Sequence, residues 1–136
     1  MKGCHCLSYR LLAVLTALSG ASVIILGAWG AHGLSALLNT SQLHIYDTAL
    51  RYHAGQTLAL LAVMINMNDA CWQRLRSVCV LWWCGMLLFS GSLYGMALLA
   101  WPVGFVTPCG GLVLIAGWLW LAWQWWCLTN DKGQTE

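Results

Sequence analysis

Four apolar runs, each close to the length that crosses a bilayer, constrain the fold of this chain more than any other feature. They cover about residues 11–30, 48–67, 77–101 and 108–127. About 20 helical residues span a hydrocarbon core, and in lipid a helix satisfies its backbone amides within its own segment. The sequence therefore predicts an all-α, four-helix transmembrane bundle over residues 1–128, followed by a polar, disordered tail at 129–136.

The composition excludes a soluble domain. Hydrophobic residues make up 60% of the 136 positions and charged residues 7%, against roughly 25% charged residues in a typical soluble domain. A net charge of +2 does not supply the basic face that nucleic-acid binding requires. The expected partner is the lipid bilayer, and a homodimer or a membrane-protein partner remains open.

The basic residues predict the orientation. Lys2 and Arg10 precede the first run, Arg74 and Arg76 separate the second from the third, and Lys132 follows the fourth. With four spans these segments share one side, and the positive-inside rule predicts that both termini are cytoplasmic. The N-terminus has some features of a signal peptide, but the apolar run continues through residues 23–26 and favours an uncleaved first helix.

Polar and glycine-rich elements interrupt the apolar pattern at four places: residues 27–34, 47–57, 89–95 and 107–111. With the predicted topology, all four fall in the non-cytoplasmic half of the membrane. Because isolated polar groups are costly in lipid, we expect an outward-facing polar cluster that binds a ligand. Its predicted members are His32, Arg51, Tyr52, His53, Gln56, Thr107, Gly110 and Gly111.

The same elements also have structural interpretations. Gly27 with Ala31, and Gly91 with Gly95, are small residues four apart, a spacing that favours close packing of helices in lipid. Asp47 and Arg51 have the spacing of an ion pair along one helix.

Catalytic and metal-binding signatures are missing from the sequence. It contains no HExxH, GxSxG or paired-carboxylate pattern, so we expect a protein that is not an enzyme and has no cofactor. Residues 4–6 (Cys-His-Cys) supply too few ligands for a structural metal site, and no metal is expected. A haem between His32 and His53 would require the two rings to face each other.

Three motifs carry a family resemblance: GAWGAHGL at residues 27–34, FSGSLY at 89–94, and TPCGG at 107–111 followed by AGW at 116–118. In this order and at these spacings the chain resembles the domain-of-unknown-function 423 family of small four-span membrane proteins, which includes transmembrane protein 256. The resemblance covers about residues 8–128. It implies a multi-pass protein of the bacterial inner membrane and no established activity.

The second span departs from the family pattern. Members usually carry a tyrosine and a glutamine there, followed three residues later by a histidine, whereas here Tyr52 and His53 are followed by Gln56. The histidine and the glutamine have thus exchanged places relative to the family pattern, one helical turn apart.

Three functional hypotheses follow. The leading one is a non-enzymatic protein that binds a partner, a lipid or a small ligand through the polar cluster. The alternative is a small dimeric transporter or channel, although the first span lacks the acidic residue that small multidrug transporters use. The third, an enzyme acting on lipid or quinone, has no sequence motif to support it.

Overall fold

A computed structural model describes residues 2–65 and 69–132, and the side-chain contacts given below concern residues 8–65 and 72–127. Over the described residues the chain is all-α. It forms α1 (Lys2–His32), a short 3₁₀ turn (Leu34–Ala36), α2 (Thr40–Ile65), α3 (Asp69–Leu99) and α4 (Val106–Lys132). The predicted four-helix architecture is confirmed.

Three of these helices are long and apolar enough to cross a membrane, over Ser8–Ala36, Trp72–Leu99 and Val106–Cys127. They contain most or all of the first, third and fourth predicted spans. Helix α2 has 26 residues, about 39 Å, but its polar side chains lower its hydropathy and it is not one of the three. A second span at 48–67 therefore stays a prediction, as does the orientation of the termini, and residues 66–67 lie outside the described residues.

Local sequence explains where α2 begins and where α3 ends. Asn39 and Gln42 form a reciprocal cap before α2: the Asn39 backbone N–H donates to Gln42 Oε1 (3.1 Å), and the Gln42 N–H donates to Asn39 Oδ1 (2.9 Å). Helix α3 ends where Ala100 takes a left-handed conformation with a φ of 52°. The Trp101 N–H then donates back to the Gly95 carbonyl (3.3 Å).

Helix α4 includes residues 129–132, where we predicted the start of a polar tail. Residues 133–136 lie outside the described residues.

Successive helices are antiparallel. The Tyr9 hydroxyl donates to the Met64 carbonyl (3.4 Å) at one end of the α1–α2 pair, and the Tyr46 hydroxyl donates to the Leu26 carbonyl (2.7 Å) near the other. Helix α3 packs on both α2 and α4, while α1 packs on α2. The main core lies along α3 and includes Val78, Cys79, Trp82 and Met86.

Glycines determine how closely α4 approaches α3. A Cβ atom at Gly110 would collide with the backbone at Phe89, one at Gly85 would lie 2.8 Å from a Leu114 methyl carbon, and one at Gly117 would lie 2.5 Å from the Trp82 ring. Small residues allow such contact between helix backbones in lipid. The last motif of the resemblance therefore has a packing role, since Trp118 also packs on Trp82 at 4.5 Å between ring centroids.

The predicted packing pairs need correction. Gly91 is exposed, and a Cβ there would meet nothing within 4 Å, so Gly91 does not lie at a helix contact. The atoms nearest to a Cβ added at Gly95 belong to the ring of Trp101, the second residue beyond the end of its own helix. Ala31 is exposed. Only Gly27 lies at a contact between helices, 3.6 Å from Leu50 of α2 when a Cβ is added.

Candidate functional site

His53 of α2 lies at the centre of a polar network that joins three helices. Its Nε2 is 2.9 Å from the Ser19 hydroxyl of α1, and its Nδ1 is 3.4 Å from the Tyr94 hydroxyl of α3. Ser19 Oγ is also 2.7 Å from Thr57 Oγ1. The imidazole is half-buried, whereas Ser19 and Thr57 are buried. Both ring nitrogens therefore have a partner on a different helix.

One assignment of protons satisfies the whole network. The Thr57 hydroxyl donates to the His53 carbonyl (2.8 Å), so Ser19 donates to Thr57. Ser19 Oγ then accepts from His53 Nε2–H, and His53 Nδ1 accepts from the Tyr94 hydroxyl. Each hydroxyl donates once and the imidazole is neutral, which avoids burying an uncompensated charge.

The network lies at mid-height of the α1–α2 hairpin. Ser19 precedes the last residue of α1, His32, by 13 positions, and His53 follows the first residue of α2, Thr40, by 13 positions. At about 1.5 Å per residue, both groups are roughly 20 Å from the helix ends that flank the turn. If α2 spans the bilayer, this depth corresponds to the hydrocarbon core.

A groove of about 390 Å³ opens between α1 and α3 beside this network. Its volume is within the range of small-molecule sites. The network contributes Ser19, His53 and Tyr94 to the wall, and the remainder is mainly apolar. The other lining residues are Leu15, Leu18, Ser22, Leu26, Trp83, Met86, Leu87, Ser90 and Gly91.

Two polar atoms in the groove wall lack a partner within the described part of the chain: the hydroxyl oxygen of Ser90 and the indole nitrogen of Trp83. Ser90 is only 3% exposed. A buried donor or acceptor left unsatisfied costs about 1–3 kcal/mol. These two atoms belong to residues that line the groove, but they are buried and are not exposed to it.

The structure separates the residues that we predicted as one cluster. His32 is exposed at the end of α1. Arg51 is 78% exposed and its Nε pairs with Asp47 Oδ2 at 2.8 Å, as its spacing predicted. Tyr52 is exposed, with its ring 4.7 Å from that of Phe89. Of the predicted residues of α2, only His53 and Gln56 turn inward. Gln56 is 6% exposed, and its Nε2 has no hydrogen-bond partner in the described chain.

The start of α4 lies on the other side of α3. Thr107 does not cap α4, which begins at Val106; its hydroxyl is 2.7 Å from that of Ser92. Ser92 and Tyr94 are two residues apart on α3, which corresponds to about 200° around a helix, so Thr107 and His53 contact opposite faces. Gly110 and Gly111 pack against the backbone and ring of Phe89. They serve the α3–α4 contact, and they share Phe89 with Tyr52 of α2, whereas His53 contacts another face of α3.

Sequence reasoning missed Ser19, Thr57 and Tyr94 as partners of His53. Two of them lie in elements that we singled out, the Ser-Gly-Ser-Leu-Tyr segment of α3 and residues 47–57. Ser19 could have been predicted from its position: it lies as many residues before the turn between α1 and α2 as His53 lies after it. Residues 4–6, considered above for metal binding, lie outside the residues whose side chains are described.

The first motif also has a structural explanation. A Cβ at Gly30 would lie 2.7 Å from the Tyr46 ring, so the absence of a side chain allows that ring to lie against α1. Tyr46 is buried, and its ring packs edge-on against Tyr94 at 5.2 Å between centroids. Gly30 therefore makes room for Tyr46, and Tyr46 packs against Tyr94, whose hydroxyl lies next to His53 Nδ1.

The family model described as "Protein of unknown function (DUF423)" matches residues 26–111. The chain belongs to the DUF423 family. The match includes all of α2 and α3 and the glycines of α4 that contact Phe89. Of the elements that surround His53, only the earlier part of α1 lies outside it. The resemblance seen in the sequence is confirmed.

Named relatives agree on location. A UPF0382 membrane protein of Haemophilus influenzae is 43% identical over 80% of this chain and 88% of its own length. The UPF0382 inner membrane protein YgdD of Escherichia coli K12 is 38% identical over 80% of this chain and 84% of its own length. A UPF0382 membrane protein of Staphylococcus haemolyticus is 36% identical over 82% of this chain and 92% of its own length. No solved structure matches the chain significantly. This DUF423 member is a multi-pass protein of the bacterial inner membrane.

Proposed function

We propose that the protein is a non-enzymatic membrane protein that binds an uncharged, mainly apolar molecule in the groove between α1 and α3. The observation that carries the proposal is the position of His53, which is bonded to Ser19 and Tyr94 beside an apolar groove of about 390 Å³. An ionisable residue at membrane depth is expensive to maintain and is by default a functional candidate.

The walls of the groove favour a ligand without charge. Among the described residues its lining contains no lysine, arginine or carboxylate, and half of the lining residues have large apolar side chains. Ser90 Oγ can donate and accept, while Trp83 Nε1 can only donate. Both atoms have almost no exposed surface and lie about two helical turns apart, so neither defines the ligand. The mainly apolar lining, with His53 and Tyr94 in it, suits a small polar head group on a long apolar body.

Gly91 supplies a direct test, because it lines the groove and a Cβ there meets nothing within 4 Å. Gly91→Leu should fill the groove without disturbing helix packing. The probe is a long-chain alcohol carrying a photoactivatable diazirine, added to the full-length protein in nanodiscs, with labelled peptides mapped by mass spectrometry. We expect labelling of α1 and α3 groove peptides in the unmodified protein and a strong decrease in Gly91→Leu.

Gly104→Leu is the matched control, because Gly104 also has open space around it but lies in the α3–α4 loop. It should label like the unmodified protein. Equal labelling of groove peptides in Gly91→Leu, or uniform labelling that includes the exposed face of α4, would contradict binding in the groove. Flux of the alcohol across liposomes that depends on the protein would favour the transporter instead of a binding protein.

A further inference from the structure

The end of the bundle opposite the α1–α2 turn concentrates positive charge. The antiparallel order brings together the start of α1, the start of α3 and the end of α4. Within the residues whose side chains are described, these segments contain Arg10, Arg74 and Arg76 and no carboxylate. At the other end, Arg51 is already paired with Asp47.

A second groove lies at this basic end, between α1, α3 and α4. Its volume is about 650 Å³, and it is lined by Ser8, Arg76, Ser77, Val80, Leu81 and Trp120. The polar residues and the apolar ones follow each other along α3: Arg76 and Ser77 come first, and Val80 and Leu81 lie one turn further into the bundle. The groove is therefore charged at its outer end and apolar along its deeper wall.

Trp120 of α4 forms the third side of the groove, opposite the residues of α1 and α3. Its indole N–H donates to the Ser77 hydroxyl at 3.1 Å, so the ring is held beside the start of α3. Tryptophan is favoured at the level of lipid head groups, where its apolar ring and polar N–H are both satisfied. This position indicates that the groove lies at the membrane–water interface.

We propose that this groove binds an anionic phospholipid, with the phosphate at Arg76 and an acyl chain along Val80 and Leu81. A guanidinium group matches a phosphate in charge and geometry, and basic pockets between helices suit anionic lipid head groups. The apolar wall next to Arg76 distinguishes a lipid from a soluble phosphate, which would leave Val80 and Leu81 uncovered. This site is separate from the groove at His53 and does not depend on the function proposed for it.

The test is native mass spectrometry of the full-length protein in detergent, titrated with phosphatidylglycerol or with phosphatidylcholine of the same acyl chains. We expect tighter binding of phosphatidylglycerol. Arg76→Gln should weaken that binding about fivefold, the effect of about 1 kcal/mol per basic residue near an anionic head group. Because Arg76 is exposed, the thermal melting of the variant should not change.

Arg51→Gln is the matched control, since it removes the same charge from the opposite end and should leave phosphatidylglycerol binding unchanged. Equal loss in both variants would show a general charge effect and overturn the site. Equal binding of the two lipids would do the same. Competition by glycerol phosphate at the concentrations at which the lipid binds would overturn the lipid assignment, because the apolar wall would then contribute nothing.

Discussion

Gly110 of α4 lies directly on the backbone of α3 at Phe89: a Cβ atom there would come within 2.8 Å of the Leu88 carbonyl carbon and closer still to the Phe89 nitrogen. Backbone atoms cannot move aside as a flexible side chain can. The α3–α4 pair therefore needs glycine at this position, and the TPCGG motif owes its first glycine to helix packing.

The first prediction follows from this contact. Gly110→Ala should lower stability by about 1–3 kcal/mol, the usual cost of overpacking, although alanine is the better helix former in isolation. Thermal unfolding in detergent, followed by circular dichroism, measures the change. Gly91→Ala is the matched control and should be neutral or slightly stabilising, because the added methyl group meets open space. Equal destabilisation by both changes would contradict the assigned α3–α4 contact.

The second prediction concerns the network at His53. Ser19→Ala removes the partner of both His53 Nε2 and Thr57 Oγ1, so one half-buried and one buried polar group lose a bond. Ser92→Ala removes one interhelical bond, to Thr107. Since such bonds average about 0.6 kcal/mol in membrane proteins, we expect the Ser19 variant to lose about twice as much stability. A larger loss of stability in Ser92→Ala would show that the hydrogen bonds of Ser19 contribute less to stability than the single Ser92–Thr107 bond.

The third prediction is the topology. Reporter fusions at residue 70 and at the C-terminus should both report cytoplasm, and fusions near residues 38 and 104 should report the opposite side. This experiment also decides whether α2 crosses the membrane. If α2 does not cross, residues 38 and 70 will report the same side.

The fourth prediction concerns cysteine reactivity. Cys109 is exposed at the start of α4, whereas Cys79 is fully buried in the core. A membrane-impermeant maleimide applied to intact spheroplasts should modify Cys109 and leave Cys79 unmodified. Cys109→Ser, tested in parallel, should abolish the labelling. Labelling of Cys109 only after the membrane is permeabilised would place the α3–α4 loop in the cytoplasm and reverse the predicted orientation.

The sequence predicted the helices well because long apolar runs have one stable backbone solution in lipid. It also predicted the Asp47–Arg51 pair, since residues four apart on a helix are neighbours wherever the helix lies. These features depend only on local spacing. Four helices follow from the same rule, although each is 6 to 11 residues longer than its predicted span.

The faces of the helices could not be predicted in the same way. Gly91 and Gly110 both lie in glycine-rich motifs, yet one lines a groove and the other touches backbone. In a water-soluble helix the polar stripe would distinguish them, but here both the lipid-facing and the packed surfaces are apolar. Ser92 and Tyr94 show the consequence, because two neighbouring polar positions serve different helix pairs.

Helix α2 is the least hydrophobic of the four, and His53 and Thr57 on its inner face have partners on α1 and α3. If α2 crosses the membrane as predicted, His53 and Thr57 would meet acyl chains before those helices are in place. Synthesis of α1 ahead of α2 supplies Ser19 at the matching depth, so the hairpin can enter the bilayer as a unit. The helix that supplies Ser19 is thus synthesised before the helix whose polar side chains need that partner in lipid.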